Sequence, residues 1–160
     1  MQEVFAKPCV GAIITRMIDG EAHILLQTRL KANGNETNGT LEIPAGKIRE
    51  YESVFAALCR EVYEETGLTV TRILGDDDSI RANSQTITCQ PYCITQNLSG
   101  AYSILLLTFL CEADGDPVAF TDEASDIRWV KAADARKLLA AAPERFFFMH
   151  HAALKKYLQL

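Results

Sequence analysis

Apolar and polar positions change their rhythm several times along this chain. Val10 to Ile14 and Ala22 to Leu30 are apolar runs of strand length, separated by Asp19-Gly20, whose glycine takes a positive φ without steric cost. They predict a β-hairpin. Lys31 to Thr40 (KANGNETNGT) holds two Asn-Gly pairs and no apolar residue except Ala32, which predicts an exposed loop of the kind that often borders a ligand site. Leu41 to Ala45 is a short extended piece, in which Pro44 biases Ile43 away from helix. From Ser53 to Thr66 the period becomes helical: Val54, Ala57, Leu58 and Val62 share one face, Ser53 is placed to cap the start, and Gly67 to end it.

Beyond that helix, Thr69–Leu74, Thr86–Thr95, Ser103–Cys111 and Ile127–Val130 have strand composition. Asp76-Asp77-Asp78, beside Gly75, is read as a solvated turn. Ala132 to Ala142 predicts a helix ended by Pro143, and Glu144 to Leu160 a last helix with apolar positions at Phe147, Leu154 and Leu158. Strands, an interrupting helix, more strands and closing helices give an α/β (α+β) domain with a mixed β-sheet. Residues 1–160 show no repeat or linker, so one domain is expected.

Charge narrows the partners. A net charge of −5 argues against a nucleic-acid partner, which normally requires a basic stripe, so a phosphate-bearing ligand would need local compensation. The longest apolar run, Ile104 to Leu110, is broken by Thr108 and far short of the roughly 20 residues that cross a bilayer, so no membrane partner is expected. The first residues, MQEVFAKPCVG, lack the basic start and apolar run of a signal peptide, and a cytoplasmic location is the default. The five cysteines are odd in number and lie mostly in apolar stretches, as reduced, buried thiols do; Cys89 and Cys93 have no second pair at zinc-site spacing.

The segment Gly46 to Leu68, GKIREYESVFAALCREVYEETGL, carries more ionisable groups than packing requires. At about 100° per residue, Glu64 sits about 60° to one side of Glu61 and Glu65 about 40° to the other. Carboxylates so placed repel by about 1 kcal/mol per pair at contact distance in water, and by more at lower dielectric. Arg60 can neutralise or orient one of them, and a hard divalent cation, Mg²⁺ or Mn²⁺, offsets the repulsion better. A solvated acidic helix face is the competing reading of the three glutamates alone.

The wider spacing decides between them. Gly46, five residues, Glu52, seven residues, then Arg60-Glu61-Val62-Tyr63-Glu64-Glu65-Thr66-Gly67-Leu68 resembles the Nudix box at every position, seven of them fixed in identity. Leu41-Glu42-Ile43-Pro44-Ala45 before it, and Ile127-Arg128-Trp129-Val130 well after it, resemble flanking strands of the same family. The resemblance implies an α/β/α sandwich and a hydrolase that uses Mg²⁺ or Mn²⁺ to split the pyrophosphate of a nucleoside diphosphate linked to a group X. It implies that Glu61 and Glu65 are the main metal ligands, that Glu64 contributes, and that the backbone carbonyl near Gly46 completes the set. Arg60 would hold a box glutamate in place. Glu52, about 180° from Glu61 by extrapolation of the helix, is a poor partner for the same metal and is expected to pair with Arg60. The general base is either Glu61 or a later carboxylate, of which Glu123 is the best candidate and Asp122 its rival.

The small-molecule substrate is left broad: a nucleotide sugar, ADP-ribose or a nucleoside triphosphate. Ile43-Pro44-Ala45-Gly46 resembles the approach to the box in ADP-ribose and nucleotide-sugar pyrophosphatases, but the proline such enzymes often carry downstream is not at that spacing; Pro91 comes later. Arg29, Tyr92, Gln96, Asn97 and Tyr102 are candidates for a base or sugar pocket. His150 and His151 have no evident carboxylate partner, which argues against a catalytic role. The alternative of a different class is a catalytically silent Nudix-like module that senses a nucleotide; such modules usually lose box carboxylates, and this chain keeps them. A homodimer is a family habit.

Overall fold

A computed structural model describes residues 3–30, 37–76 and 85–160. The β1 (Lys7–Ile18) and β2 (Glu21–Arg29) strands form the expected hairpin, paired from Thr15↔Ile24 to Ile18↔Glu21. Asp19 and Gly20 both take positive φ, 51° and 79°, the conformation a two-residue hairpin turn needs to match strand twist. Beyond Thr15 and Ile24 the two strands part. Into the fork runs residues 41–47: β3 (Leu41–Glu42) pairs with β2, Ala12 N donates to Pro44 O at 2.9 Å, and β4 (Ala45–Lys47) pairs with β1.

On its other edge β1 runs parallel to β7 (Ile104–Asp114) from Lys7↔Ile104 to Thr15↔Glu112. The β5 (Thr69–Ile73) and β6 (Cys93–Gln96) strands pair antiparallel with β7, and β8 (Ala124–Lys131) pairs antiparallel with β2. The sheet is therefore mixed, as expected.

Period-two alternation assigns its faces. Val10, Ala12 and Ile14 of β1, Leu25 of β2 and Phe109, Cys111 and Ala113 of β7 pack with Phe55, Ala57, Leu58 and Val62 of α1 (Val54–Thr66). The intervening Ile13, Ile24 and Leu26 pack with Ala135 and Leu139 of α2 (Ala132–Ala141) and Ala153, Leu154 and Leu158 of α3 (His151–Leu158). Helices on both faces give the α/β/α sandwich.

Three expectations need correction. The strand expected over Thr86–Thr95 is regular only over Cys93–Gln96. Pro91 has no N–H to give a ladder, while Ile87 and Cys89 turn into the core beside α1. The helix expected over Glu144–Leu160 is instead a 3₁₀ turn at Pro143–Arg145, another at Phe148–His150, and then α3. Phe147 N donates to Leu41 O at 2.8 Å, and Phe146 is extended (φ −106°, ψ 144°), so the sheet edge has claimed the backbone that a helix would use. Of the cysteines, Cys9 and Cys111 are buried but Cys59 is exposed on α1, contrary to expectation; all five are free thiols. Residues 31–36 of the expected loop, with Asp77 and Asp78, lie outside the described residues. No helix among the described residues is long and apolar enough to cross a membrane.

Candidate active site

The helix that carries the glutamates is fixed at both ends by local chemistry. Ser53 Oγ accepts from Ala56 N at 3.1 Å, and Gly67, at φ 75°, donates its N–H to Tyr63 O. Burial of Leu58 and Val62 then sets the rotation of α1, and each such apolar side chain is worth about 1.5–3 kcal/mol. That rotation separates the three carboxylates into different surroundings. Glu65 is turned inward and is only 7% exposed, whereas the Glu64 side chain is 48% exposed and that of Glu61 15%.

Glu65 lodges where β1 and β2 fork. Its Oε2 accepts from Gln27 Nε2 at 2.8 Å and from Ala45 N at 3.1 Å. Gln27 also reaches Glu42 Oε1 at 3.4 Å, and Glu42 Oε2 pairs with Arg29 at 2.7 Å. Burial dominates the Glu65 carboxyl and pushes its pKa up to about 8; the Gln27 and Ala45 bonds oppose the shift, and the nearby Glu42 and Glu61 charges add to it.

Arg60 gathers the remaining carboxylates. It forks onto Glu52, Nε to Oε1 at 2.7 Å and Nη2 to Oε2 at 2.8 Å, and its Nη1 donates to Glu61 Oε1 at 2.5 Å and Glu64 Oε2 at 3.1 Å. Nη2 also donates to Lys47 O at 3.0 Å, tying the helix to β4. The bonds from Arg60 hold the Glu52 carboxyl at about 2, and those carboxylates raise the guanidinium above its ordinary pKa. The expected Glu52–Arg60 pair is present.

Gly46 lies directly against Glu61: a Cβ there would stand 2.0–2.3 Å from the carboxylate atoms. Both residues line a cleft of about 280 Å³ that also takes in Arg29, Lys47, Tyr102, Glu123, Phe147 and His150. Glu123 in addition joins Glu61, Glu64, Glu65, Thr121 and Asp122 around an adjoining cavity. Its backbone is pinned there, because Glu123 O accepts from Leu30 N at 2.8 Å and Thr121 Oγ1 accepts from the N–H groups of Glu123 and Ala124. The sequence candidates Arg29 and Tyr102 thus reach the cleft. Gln96 and Asn97 line a separate depression with Tyr102, and Tyr92 packs against the α2–α3 side of the sheet.

Among the cleft residues that carry no signal in the sequence are Phe147, Met149, Lys47 and, as a binding group, His150. The apolar positions of the segment 146–150 fit a helix, and its pairing to Leu41 delivers it to the cleft. His150 is 1% exposed, and its Nδ1 has no hydrogen-bond partner among the described residues. Burial, with lesser contributions from Arg29 and His151, holds its pKa down at about 3.

The donors around the adjoining cavity are carboxylate oxygens from Glu61, Glu64, Glu65, Asp122 and Glu123, a set that suits a hard divalent cation. Among the described residues no three such side chains converge on one point, because Arg60 holds Glu61 and Glu64 and the fork holds Glu65. The buried, desolvated Glu65 carboxyl is the group that a cation would relieve.

A model of the NUDIX domain family matches residues 7–151. An RNA pyrophosphohydrolase of Rhizobium meliloti (strain 1021) is 32% identical over 73 residues, which cover 44% of this chain and 42% of that protein, so the match spans well under half of the relative's length. The crystal structure of a MutT NUDIX hydrolase from Burkholderia pseudomallei superposes with a TM-score of 0.60 at 25% identity, over 81% of this chain and 86% of that one. The NUDIX domain of Shewanella oneidensis NrtR, solved with ADP ribose, shares the fold with a TM-score of 0.69 at 16% identity, covering 98% of this chain and 88% of its own.

Proposed function

Since this chain belongs to the Nudix family, we propose that residues 1–160 act as one hydrolase domain that uses Mg²⁺ or Mn²⁺ to split the pyrophosphate of a nucleoside diphosphate linked to X. The observation that carries this reading is the complete box, with its glutamates Glu61, Glu64 and Glu65 on α1 around a cavity that Glu123, just before β8, also lines. Glu61 and Glu65 are the main metal-holding residues, with Glu64 and the backbone at Gly46 assisting. When bound, the cation supplies the neutralisation of phosphate charge that a chain of net charge −5 lacks.

The protein's own groups do the rest. Arg60 orients Glu61 and Glu64 while Glu52 anchors Arg60 from behind. We assign the general base to Glu123. Like Glu61 it borders both the cleft and the carboxylate cavity, whereas Asp122 borders only the latter, and Glu61 is given to the metal. Glu123 takes a proton from water as the water oxygen bonds to phosphorus; the bridging P–O bond breaks and its electrons leave with the departing phosphate. Arg29 and Gly46 contact the substrate on the cleft side.

X is a sugar, as in a nucleotide sugar or ADP-ribose, or a phosphate, as in a nucleoside triphosphate. The test is phosphate release, before and after phosphatase treatment, from a panel of these compounds and a 5′-triphosphorylated RNA oligonucleotide, with and without Mg²⁺. Wild type should cleave at least one member only with metal, and Glu61→Gln, Glu65→Gln and Glu123→Gln should each lose at least about 100-fold in kcat. If no member is cleaved while a nucleotide still binds, the chain is a nucleotide-binding module and the hydrolase reading is wrong.

A further inference from the structure

We propose that His150 is a specificity-determining residue: its imidazole, set against Phe147 in the wall of the cleft, recognises the nucleobase of the substrate. This rests on the reading that the substrate is a nucleotide. The cleft has two chemically different linings. Glu61, Gly46 and Glu123 belong to the carboxylate side, while Leu106 and Met149 form one apolar cluster with Ile104 and Phe147 packed on it. An apolar and aromatic lining suits a flat heterocycle and gives nothing to a phosphate.

Within that lining the buried His150 ring has a nitrogen that no described residue bonds. Arg29 is committed to Glu42 and Thr37 and lies over the Phe147 ring at 4.1 Å from its centroid. His151 Nε2 is bonded to Phe146 O at 2.9 Å. The His150 ring stands 5.3 Å from that of Phe147, 1% exposed, with Nδ1 lacking a partner among the described residues. Buried polar groups are almost always bonded, so an unpartnered one in a cleft wall marks the place for a ligand group. Beside a guanidinium and out of water the ring stays neutral, so one nitrogen is an N–H donor and the other an acceptor, and a single hydrogen bond to a ring nitrogen, carbonyl or amine of a base edge would use one of them. Discrimination built on such a contact is strong, because a base with the wrong edge leaves the imidazole unpaired.

The measurement is titration calorimetry with ADP, GDP, CDP and UDP, and with inorganic pyrophosphate as a probe without a base, all with Mg²⁺. His150→Phe should weaken the best-bound nucleotide about tenfold, the value of one hydrogen bond, and leave pyrophosphate unchanged. His150→Asn, which keeps a donor and an acceptor, should recover part of the loss. Imidazole ¹⁵N spectra of the wild type give a second readout, since the chain has only three histidines. The His150 signals should move on saturation with that nucleotide and not with pyrophosphate. Equal losses for nucleotide and pyrophosphate, no loss, unmoved His150 signals, or no binding of any of the four nucleotides each overturn the assignment. A cleaved substrate panel combined with any of those results removes the base contact and leaves the hydrolase reading standing; an uncleaved panel with a responsive His150 does the reverse.

Discussion

Glu61 presses its carboxylate against the bare Cα of Gly46, leaving no room for a methyl group, which would meet the carboxylate carbon at 2.0 Å. The atoms in the way are the end of a flexible side chain, so Gly46→Ala should fold and move Glu61 instead. A displacement of about 1 Å in a reacting constellation costs on the order of 100-fold. The expected result is a loss in kcat of that size with a thermal midpoint close to wild type. A variant that keeps its activity would show that Glu61 does not need this position.

Glu52 and Arg60 make a different prediction, because Glu52 touches the helix glutamates only through the guanidinium. Glu52→Gln removes the charge from the forked pair and leaves Arg60 free to swing toward Glu61 and Glu64. Stability should fall by about 1–3 kcal/mol in urea titration. Activity should fall about tenfold, in kcat rather than KM. An unchanged kcat would mean that Arg60 is held well enough by Lys47 O and the other carboxylates.

Stability should also depend on pH through His150. Its pKa is about 3 when folded and near 6.5 when the ring is free, so between these values the unfolded chain holds a proton that the folded chain does not. The contribution of the neutral ring is complete above pH 6.5 and is lost as pH falls toward 3, at up to about 1.4 kcal/mol per pH unit. His150→Phe has no such proton to take up. The difference in unfolding free energy between the two proteins should therefore change by about 2 kcal/mol between pH 7 and pH 5, in favour of the variant at the acid end. A constant difference would show that the ring charges freely in the folded state.

How far the sequence reveals this molecule depends on the range of the interactions involved. The hairpin, α1 and its caps are local, and Asp19-Gly20, Ser53 and Gly67 mark them within a few residues. The box also announces its chemistry, since its spacing sets the glutamates about α1. What the spacing could not give is the depth of each carboxylate: Glu64 and Glu65 are adjacent in sequence, yet one is half exposed and the other buried at the fork. The Phe146–His150 segment was hidden for the same reason. Its apolar residues fit a helix, and only a hydrogen bond from Phe147 to Leu41, more than a hundred residues away, turns it into cleft wall. At Pro91 two local signals conflict: the residues around it have strand composition, while the proline has no N–H to give a ladder.

Residues 41–47 work as a keystone. This one short segment is bonded to β2 at Leu41 and Glu42, to β1 at Pro44 and through β4, to α1 at Ala45 and Lys47, and to the cleft wall at Leu41. Both halves of the divided sheet, the acidic helix and the aromatic wall thus lean on the same seven residues. A shift in any one of them is passed to the others through this segment, so the distance between the acid side of the cleft and its aromatic side is set by the masonry of the fold and not by the side chains that face the substrate.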